Sequence, residues 1–512
     1  MENGLTDPAW QRRLVSALQR ALSSARDGEP ALVETHISYV LLTGAFAYKI
    51  KKAVDFGFLN FSTSDARRFY CGEELRLNRR LAPDIYLGVS TITGSIESPE
   101  IDGNGPVLEY AVKMRQFDQE GLLSRAIARG ALTPGDIDAL AAEVAAFHGR
   151  TAVAASDSPF GRPEDILQQA QQNFDQMLVV IDEPRDRSDL EALLEWTRRS
   201  HAVLEPQFAA RRRNGFVREC HGDLHLGNIA LIDDRMTLFD CIEFNASMRW
   251  TDVMSDVAFL VMDLRDRGRP DLAARFLSAY LDITGDYEGL GVLRFYFVYR
   301  AIVRAKVACL RLSQNDTHVD RRKALADYHT YVELARGETA PPTAAVTITH
   351  GPAGSGKTTR SQALLEATGA VRIRSDVERK RMHGLGAADR SGSGVGEGLY
   401  TAGATDGTYA RLTDLTRIIV NAGYSAIVDA AFLERSRRDG LRRLASDLGV
   451  PFFILDCSAP AAILRQRVAD RIGRGGDASE ATLDVLERQL STGEPLTPEE
   501  RLVTLKAPDA AS

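Results

Sequence analysis

The spacing of apolar positions divides the chain into a strand-rich, a helical and an alternating part. In residues 31–117, β-branched and aromatic residues form short segments such as THISYVLL, FAYKIKKAV and VLEYAVKMRQF, separated by glycine-containing turns, a pattern typical of strands. Between them, ARRFYCGEELRLNRRL places its leucines at helical spacing. From about 120 to 335 the periodicity is mostly helical, with an interruption at 219–245.

After residue 345, strands and helices alternate. VTITH, AVRIRSD, SAIVDAAF and PFFILDCS are apolar runs of strand length, and each is followed by a helical segment. This alternation predicts an α/β domain with a parallel sheet covered by helices. The segment GETAPPTAA at 337–345 combines two prolines with small residues, so we interpret it as a linker between domains at 1–336 and 346–512. Residues 384–407 contain eight glycines and predict a mobile loop that could serve as an acceptor flap or a switch.

Length, composition and charge limit the kind of protein that this chain can be. A chain of 512 residues is too long for one hydrophobic core, and 44% apolar with 26% charged residues is typical of a globular protein. No apolar run approaches the ~18 residues that span a bilayer, and the N-terminus lacks the pattern of a signal peptide. The five scattered cysteines indicate a reducing compartment. We therefore expect a cytoplasmic protein without a membrane partner. A net charge of −7 does not resemble the strongly basic composition of a dedicated nucleic-acid binder.

The stretch HGDLHLGN at 221–228 has the spacing His-x-Asp-x4-Asn. In phosphoryl transfer from a nucleotide, an aspartate such as Asp223 can orient the acceptor hydroxyl and take its proton, and the amide oxygen of Asn228 can bind Mg²⁺. Asp240 lies within the apolar run LFDCIEF, where an unpaired carboxylate is costly unless it binds a metal or hydrogen-bond donors. The three residues therefore predict a catalytic aspartate and two magnesium ligands.

A lysine on a strand, paired with a glutamate on a helix, would hold the nucleotide phosphates of such a site. FAYKIKK supplies Lys49 or Lys51, which lie on the same face of the strand, and CGEEL supplies Glu73 or Glu74.

The order lysine, glutamate, HxDxxxxN, aspartate is that of a protein-kinase-like fold, and residues 31–335 resemble the aminoglycoside phosphotransferase family, in which HGD replaces the kinase HRD. The resemblance implies an α+β bilobal domain, with an N-lobe at about 1–117 and a C-lobe at about 118–336. Its lysine strand is best matched by AYKI, which implies that Lys49, with Glu74, contacts the nucleotide. Asp55 begins a DFG sequence, but it precedes the catalytic loop, so we interpret this sequence as a turn.

Further polar residues near this motif have structural interpretations. We expect Asp252, Asp256 and Asp263, which follow the second metal ligand, to anchor helices or to brace the catalytic loop. His148 is interpreted as a core histidine of a helix and His225 as a packing or hydrogen-bonding residue.

A second phosphate-binding motif, GPAGSGKT at 351–358, fits G-x-x-x-x-G-K-[ST] and lies between a predicted strand and a predicted helix. Its glycines let backbone N–H groups turn toward the phosphates, its lysine reaches the β- and γ-oxygens, and the following threonine offers a hydroxyl to Mg²⁺. The candidate nucleotide-binding residues are Gly351, Gly354, Ser355, Gly356, Lys357, Thr358 and Thr359, with Thr358 also a candidate metal ligand.

The segments after this loop supply candidates for chemistry. RIRSDVERK ends a strand with Asp376 and, one turn later, Arg379, and AIVDAAF ends the next strand with Asp429. An aspartate at a strand tip can act as a general base or hold a metal-bound water, so we take Asp376 as the base and Asp429 as a metal ligand. ILRQRVADR places Arg467 and Arg471 four apart on a helix, where a lid could neutralise charge on the transferred group; the alternative is a solvated basic helix face.

The D-x-x-R pattern resembles polynucleotide kinases and zeta-toxin-like kinases. Residues 346–505 as a whole resemble the P-loop kinase module fused behind an aminoglycoside-phosphotransferase-like domain in bacterial proteins, which implies that Arg379 binds the acceptor. The combined prediction is a bifunctional phosphotransferase that uses ATP or GTP with Mg²⁺. Its acceptors would be a hydroxyl of a small molecule in the first domain and of a nucleoside, a sugar or a polynucleotide end in the second. The alternative is a nucleotide-sensing regulatory protein in which one site gates the other.

Overall fold

The computed structural model describes residues 7–24, 30–57, 59–314, 318–340, 342–387, 389, 391–392, 398–474 and 481–505. Its residues group into two compact units, which are Met1–Leu132 with Phe147–Arg162 and Arg212–Asp256, and Thr133–Ala146 with Pro163–Arg211 and Val257–Ser512. Across the described residues, none of the helices is both long and apolar enough to pass through a membrane. The boundaries 1–336 and 346–512 stay a prediction.

The helices and strands are numbered along the chain. The helices are α1 Pro8–Ser24, α2 Ser64–Asn78, α3 Leu123–Ala128, α4 Pro134–Arg150, α5 Pro163–Leu178, α6 Pro184–Arg213, α7 Ala246–Arg249, α8 Val253–Asp266, α9 Pro270–Thr284, α10 Leu290–Gln314, α11 His318–Thr339, α12 Lys357–Thr368, α13 Ser375–Met382, α14 Ala402–Asn421, α15 Arg435–Asp447, α16 Ala461–Arg474, α17 Leu483–Thr492 and α18 Pro498–Leu502. The strands are β1 Ala31–Glu34, β2 Ser38–Leu42, β3 Phe46–Lys51, β4 Tyr86–Gly94, β5 Pro99–Ile101, β6 Val107–Arg115, β7 Val217–Glu219, β8 Ile229–Ile232, β9 Arg235–Leu238, β10 Trp250–Asp252, β11 Val346–His350, β12 Val371–Arg374, β13 Ala426–Asp429, β14 Phe452–Asp456 and β15 Thr504–Leu505.

The first unit contains a six-stranded antiparallel sheet in the order β1-β2-β3-β6-β4-β5. The predicted strands β2, β3 and β6 are confirmed. The apolar face of α1, with Leu14, Val15 and Leu18, packs with buried residues of these strands, including Tyr39 and Ile50. This packing covers one face of the sheet and leaves the strand that carries both candidate lysines at its centre.

Helix α2 carries polar residues on its buried face. Thr63 caps its N-terminus by accepting a hydrogen bond from the Ala66 N–H (3.1 Å), which satisfies an amide that has no partner within the helix. Arg67, one turn later, forms a fully buried ion pair with Glu109 of β6 (2.8 Å). Because Glu74 lies two turns further along the same face, this ion pair fixes the helix that brings Glu74 to β3.

The second unit contains a five-stranded parallel sheet in the order β12-β13-β11-β14-β15. The four strands predicted from the alternating pattern are confirmed, and the short β15 adds a fifth. The chain therefore combines an α+β region of the protein-kinase-like fold with an α/β P-loop region. Helix α11 extends into the first three residues of the predicted linker, 337–339, where the Glu338 carboxylate is 2.6 Å from Arg265.

The predicted mobile loop, 384–407, lies partly outside the described residues, at 388, 390 and 393–397. Its last residues, 402–407, form the beginning of α14.

Candidate active sites

The hairpin of β8 and β9 brings together the two predicted metal ligands of the first site. Ile229 pairs with Leu238 in this hairpin, and one step further the Phe239 N–H donates to the Asn228 carbonyl oxygen (3.0 Å). Asn228 therefore lies just before the first strand and Asp240 just after the second. This antiparallel pairing places residues that are distant in sequence at the same end of the hairpin.

Asp240 adopts a left-handed backbone conformation, with φ of 64°, which is uncommon for a residue other than glycine. Neighbouring side chains hold the backbone in place: the Asp240 N–H donates to the Tyr86 hydroxyl (3.2 Å) and the Cys241 N–H donates to Asn78 Oδ1 (2.9 Å). Non-glycine residues in this conformation cluster at functional sites, where the surrounding structure maintains them. The Asp240 side chain remains 40% exposed.

Lys49 and Lys51 both bind Glu74. Lys49 Nζ lies 2.8 Å from Glu74 Oε1 and 2.6 Å from Asp240 Oδ1. Lys51 Nζ lies 2.6 Å from Glu74 Oε2 and also contacts Glu243. Burial alone would raise the pKa of Glu74, but the two ammonium groups outweigh burial and lower that pKa to about 2. Glu74 is therefore ionised and bridges the two lysines.

The second partners distinguish the two lysines. Lys49 reaches the partly exposed Asp240, whereas Lys51 is 1% exposed and its second partner, Glu243, is 4% exposed. Burial raises the pKa of Glu243, and Lys51 opposes that rise. Lys49 thus faces the candidate metal ligand and Lys51 faces the protein interior. Glu73, the alternative to Glu74, pairs with Arg76 instead (2.9 Å).

The catalytic-loop candidates Asp223 and Asn228 contact each other. Asn228 Nδ2 donates to the Asp223 carbonyl oxygen (2.9 Å) and to Asp223 Oδ2 (3.0 Å), which orients the amide with its nitrogen toward the aspartate. His225 Nε2 lies 3.5 Å from Asp223 Oδ2, and its Nδ1 accepts the Gly227 N–H (3.0 Å). His225 is thus the hydrogen-bonding residue that the sequence predicts.

Asp256 supports the catalytic loop by accepting hydrogen bonds from its backbone, as the sequence predicts. Its carboxylate accepts the N–H groups of His221 (2.8 Å) and Gly222 (3.0 Å), and it is fully buried. His148 is a buried helix histidine with Nε2 3.5 Å from the same carboxylate. The ligand atoms of His148, Cys220 and Asp256 lie within 4.8 Å of one another, but both Asp256 oxygens already accept backbone N–H groups, so we interpret the cluster as a brace.

The turn interpretation of the DFG sequence is confirmed. Asp55 accepts the Gly57 N–H (2.9 Å) and an amide hydrogen of Asn60 (2.9 Å), and these bonds are exposed. Both carboxylate oxygens are therefore used within a surface turn.

The donor set of the first site fits Mg²⁺. Hard divalent cations prefer carboxylate and amide oxygens, and Asp240 and Asn228 offer one of each at the end of the hairpin. The Asn228 amide turns its nitrogen toward Asp223, which leaves the oxygen as the group for a cation.

The glycines of the P-loop have the conformations that such a loop requires. Gly351, Gly354 and Gly356 have φ of 146°, 77° and 86°, and a Cβ at Gly351 would lie 2.3 Å from the Cys457 carbonyl oxygen. The loop leads directly into the N-terminus of α12, where unpaired N–H groups and the helix dipole favour an anion.

The polar side chains of the loop suit a phosphate ligand. Lys357 Nζ donates to the carbonyl oxygens of Gly351 (2.9 Å) and Pro352 (2.8 Å). Ser355 is 2% exposed, and its hydroxyl has no hydrogen-bond partner among the described residues. Thr358 and Thr359 lie in the first turn of α12, and both are exposed. An unpaired buried hydroxyl in a loop that leaves no room for a Cβ at Gly351 fits an oxygen-rich ligand.

The carboxyl ends of the three neighbouring strands converge beside this loop. Arg374 at the end of β12 pairs in register with Asp429 at the end of β13, and Asp376 follows two residues later in the first turn of α13. Asp429 is 5% exposed, and its Oδ2 lies 3.3 Å from the Ser361 hydroxyl of α12. The two acidic candidates therefore lie at the sheet edge where the phosphate loop begins.

Arg379 is a nearly buried cation, 9% exposed. Its Nε donates to the Thr408 hydroxyl (3.4 Å), and its guanidinium lies 4.8 Å from the centre of the Tyr400 ring. No carboxylate pairs with it within the part of the chain that the structure describes. A buried guanidinium without an acidic partner favours an anionic ligand.

Helix α16, which carries the predicted lid arginines, contacts the phosphate loop. Ala353 packs with Leu464, Val468 and Leu486, and Arg467 Nη1 lies 3.4 Å from the Gly354 carbonyl oxygen. The helix places Arg467 at the loop, as a charge-neutralising role requires. Arg471 belongs to the same helix, but its side chain lies outside the described residues.

Several contributing residues have little signal in the sequence. Tyr86 supports Asp240 from a strand that was not predicted separately, and Glu243 pairs with a lysine 192 positions away. Asn78 could have been found, because it lies four residues after Glu74 on the same helix face. Arg372 lies in the run VRIR, and a charge within a buried strand indicates a partner.

Comparison with known proteins agrees with this organisation. Residues 113–296 match the phosphotransferase enzyme family, and residues 346–496 match the AAA domain. The chain is 30% identical over 446 residues to the uncharacterized proteins Rv2004c of Mycobacterium tuberculosis (strain H37Rv) and Mb2027c of Mycobacterium bovis, with 87% of each chain covered.

Similar solved structures each cover a share of this chain. A sugar kinase from Janibacter sp. HTCC2649 is 26% identical over 32% of this chain and 84% of its own, with a TM-score of 0.24. A choline/ethanolamine kinase family protein from Mesorhizobium loti is 11% identical over 63% of this chain and 99% of its own, with a TM-score of 0.38. The GDP complex of aminoglycoside 2′-phosphotransferase-IIIa is 14% identical over 64% of this chain and 98% of its own, with a TM-score of 0.37. This chain belongs to the family of the mycobacterial proteins Rv2004c and Mb2027c, and it joins a phosphotransferase-family region to a P-loop region of the AAA type.

Proposed function

We propose that the chain is a phosphotransferase with two nucleotide sites, each transferring the γ-phosphoryl group of ATP or GTP to an acceptor hydroxyl. The observation that carries the proposal is the position of Lys49, with its ammonium 2.8 Å from Glu74 and 2.6 Å from Asp240. A lysine oriented by a helix glutamate and directed at a metal-binding carboxylate is the arrangement that holds nucleotide phosphates in kinases.

In the first site, Lys49 would bind the phosphates and Asp223 would take the proton of the acceptor hydroxyl. Asn228 and Asp240 would hold Mg²⁺, which neutralises phosphate charge when bound. The Asn228 amide also fixes the Asp223 carboxylate by its 3.0 Å hydrogen bond, so the base keeps one orientation. Positioning of this kind supplies most of the catalysis in phosphoryl transfer.

In the second site, the N–H groups of 354–358 and Lys357 would bind the phosphates, and Thr358 with Asp429 would hold Mg²⁺. Asp376 would act as the base toward a nucleoside, a sugar or a polynucleotide end, and Arg379 would bind an anionic group of that acceptor. Arg467, and Arg471 from the same helix, would neutralise charge that develops on the transferred group.

The test is a phosphorylation screen with γ-labelled ATP and GTP over aminoglycosides, nucleosides, sugars and 5′-hydroxyl oligonucleotides, using full-length wild type, Asp223→Ala and Lys357→Ala. Asp223→Ala should lower turnover of the first-site acceptor by about 10²–10⁴-fold while nucleotide binding persists. Lys357→Ala should abolish transfer to the second-site acceptor only. Equal losses of nucleotide affinity and turnover in Asp223→Ala would show that this residue is structural.

Roles within the second site can be separated by kinetics. Asp376→Ala should retain nucleotide binding and lose transfer, whereas Arg467→Ala should lower kcat more than nucleotide affinity, because its charge matters most in the transition state. Full transfer by Asp376→Ala would refute the base assignment. If no hydroxyl acceptor raised nucleotide consumption above background, a nucleotide-sensing regulatory function would replace the second kinase.

A further inference from the structure

Gln11 of helix α1 is a buried polar residue that contacts the lysine strand. It is 1% exposed. Its Nε2 donates to the Lys51 carbonyl oxygen (2.7 Å), and its Oε1 accepts the Ala53 N–H (2.9 Å). The pairing of β3 with β6 ends at Ile50 and Ala111, so the Gln11 amide holds the backbone just beyond the last residue of β3 that pairs with β6. A glutamine of α1 therefore fixes the end of the strand that carries both candidate lysines.

The same amide reaches the ion pair that fixes helix α2. Gln11 Nε2 also donates to Glu109 Oε2 (2.9 Å), and Arg67 Nε of α2 donates to both Glu109 oxygens (3.0 and 2.8 Å). Arg67 Nη1 donates in addition to the Phe61 carbonyl oxygen (2.8 Å), before the helix begins. Gln11, Glu109 and Arg67 are each at most 1% exposed. Because water does not reach these groups, removing one of them leaves its partners without compensation.

The two elements that Gln11 joins are those that carry the nucleotide-binding pair of the first site. Lys49 lies on β3 and Glu74 on α2, and Lys49 Nζ is 2.8 Å from Glu74 Oε1. Gln11 contacts β3 through its backbone and α2 through Glu109. A misplacement of about 1 Å caused by a distant substitution can cost about 100-fold in rate. The spacing of β3 and α2, which Gln11 sets, therefore determines whether the lysine is correctly oriented.

We propose that Gln11 is a positioning residue of the first nucleotide site, through which α1 holds β3 and α2 so that the ammonium of Lys49, paired with Glu74, meets the nucleotide phosphates. The inference rests on the proposed function of that site. A glutamine that merely stabilised the fold would change the thermal stability and leave the nucleotide affinity of the folded protein as it is.

The experiment measures binding of ATP and of GTP, each with Mg²⁺, by calorimetry on the full-length chain. Every protein carries Lys357→Ala, which removes the proposed phosphate-binding lysine of the P-loop, so the heat that Lys49→Met then weakens belongs to the first site. Gln11→Met removes all three hydrogen bonds of the amide and should raise the Kd of the first site by about 10-fold, the size expected when one hydrogen bond to a charged phosphate is lost.

Gln19→Met is the matched control. Gln19 lies on the same helix, and its Nε2 also donates to a backbone carbonyl oxygen, that of Pro30 (2.7 Å), which belongs to neither β3 nor α2. This variant should leave the Kd of the first site unchanged.

A double-mutant cycle separates positioning from support of the fold. Glu74→Gln keeps the ammonium of Lys49 and removes the partner that orients it, so Gln11→Met should raise Kd no further in that background while it still lowers Tm there. Equal rises of Kd in both backgrounds, or an unchanged Kd in Gln11→Met while Lys49→Met weakens binding, would overturn the inference and leave the proposed function standing. Unchanged nucleotide binding in Lys49→Met would instead refute the proposed first site, and the inference with it.

Hydrogen–deuterium exchange covers the case in which Gln11→Met does not fold, as judged by loss of its thermal transition. Coupling between two sites is reciprocal, so saturating nucleotide should slow the exchange of a peptide covering residues 8–18 in the protein that carries Lys357→Ala alone. At the same nucleotide concentration, addition of Lys49→Met should remove this slowing. Unchanged exchange of residues 8–18 at saturating nucleotide would then overturn the proposal.

Discussion

Replacing each of the two lysines of β3 by methionine should have different consequences. Either replacement leaves Glu74 with one lysine, so the variants differ in the second carboxylate that loses its partner. For Lys51→Met that carboxylate is Glu243, which is 4% exposed, and for Lys49→Met it is Asp240, which is 40% exposed. Water can solvate Asp240 but not Glu243.

The size of the expected loss of stability follows from this difference in burial. Removing one partner of a buried ion pair costs about 3–5 kcal/mol, because the remaining charge stays buried without compensation. For a unit of about 150–250 residues, each kcal/mol changes Tm by about 2–4 °C, so Lys51→Met should lower the Tm of the first unit by about 6–20 °C. Lys49→Met should lower Tm much less and instead weaken nucleotide binding and turnover.

The assay is hydrogen–deuterium exchange of peptides covering 46–51 and 64–78, combined with thermal unfolding and nucleotide titration. The double variant Lys51→Met with Glu243→Leu is the matched control, because it removes both charges and should recover most of the lost stability. If Lys51→Met kept its stability and lost nucleotide binding, Lys51 would be the phosphate-binding lysine, and the assignment of Lys49 would be wrong.

Three further outcomes are expected. Asp55→Asn should leave turnover and Mg²⁺ dependence at the first site unchanged, whereas Asp240→Asn should abolish turnover; steady-state kinetics with varied Mg²⁺ would expose a reversal. Gly351→Ala should abolish nucleotide binding at the P-loop, because its Cβ would lie 2.3 Å from a carbonyl oxygen, while Gly369→Ala, with a positive φ but no atom within 4 Å, should keep binding intact in the same titration. Burial lowers the pKa of Lys306 to about 8, below the value of about 10.5 expected in the unfolded chain, so the unfolded state binds more protons between these values and stability rises with pH there. Lys306→Met should therefore stabilise the protein by about 2–4 kcal/mol at pH 7, and denaturant titrations should show that this gain shrinks between pH 8 and 10.5; a gain independent of pH would refute the cause.

Charged residues inside apolar runs indicated several members of both candidate sites. Asp240 in LFDCIEF and Asp429 in AIVDAAF indicate sites because burying a carboxylate is costly unless a partner compensates it. The strand β4 was not predicted, because serine, threonine and glycine interrupt its apolar pattern. The local pattern of apolar residues shows which face of a helix or strand is apolar, but it does not show which other element packs on that face.

Contacts between segments that are distant in the chain could not be predicted from the sequence. Lys49 and Lys51 are equivalent by pattern, and only the fold shows which of them faces the interior. The packing of α9 on the P-loop sheet has no local signal either, because an amphipathic helix packs equally well on many apolar surfaces. Candidates that follow from the chemistry of a single residue could be identified from the sequence. Contacts that depend on neighbours in the folded structure could not.

The β8–β9 hairpin constrains how the number of residues between Asn228 and Asp240 can vary among distant relatives. Its turn consists of Asp233 and Asp234, both with positive φ, between the paired residues Ile232 and Arg235, which is the two-residue turn that suits the twist of a hairpin. With this turn kept, a residue added to one strand must be matched by a residue on the other, or every later side chain changes face. The number of residues between Asn228 and Asp240 should therefore differ among relatives by even numbers, and an alignment that places an odd gap there has misidentified one of the two proposed ligands.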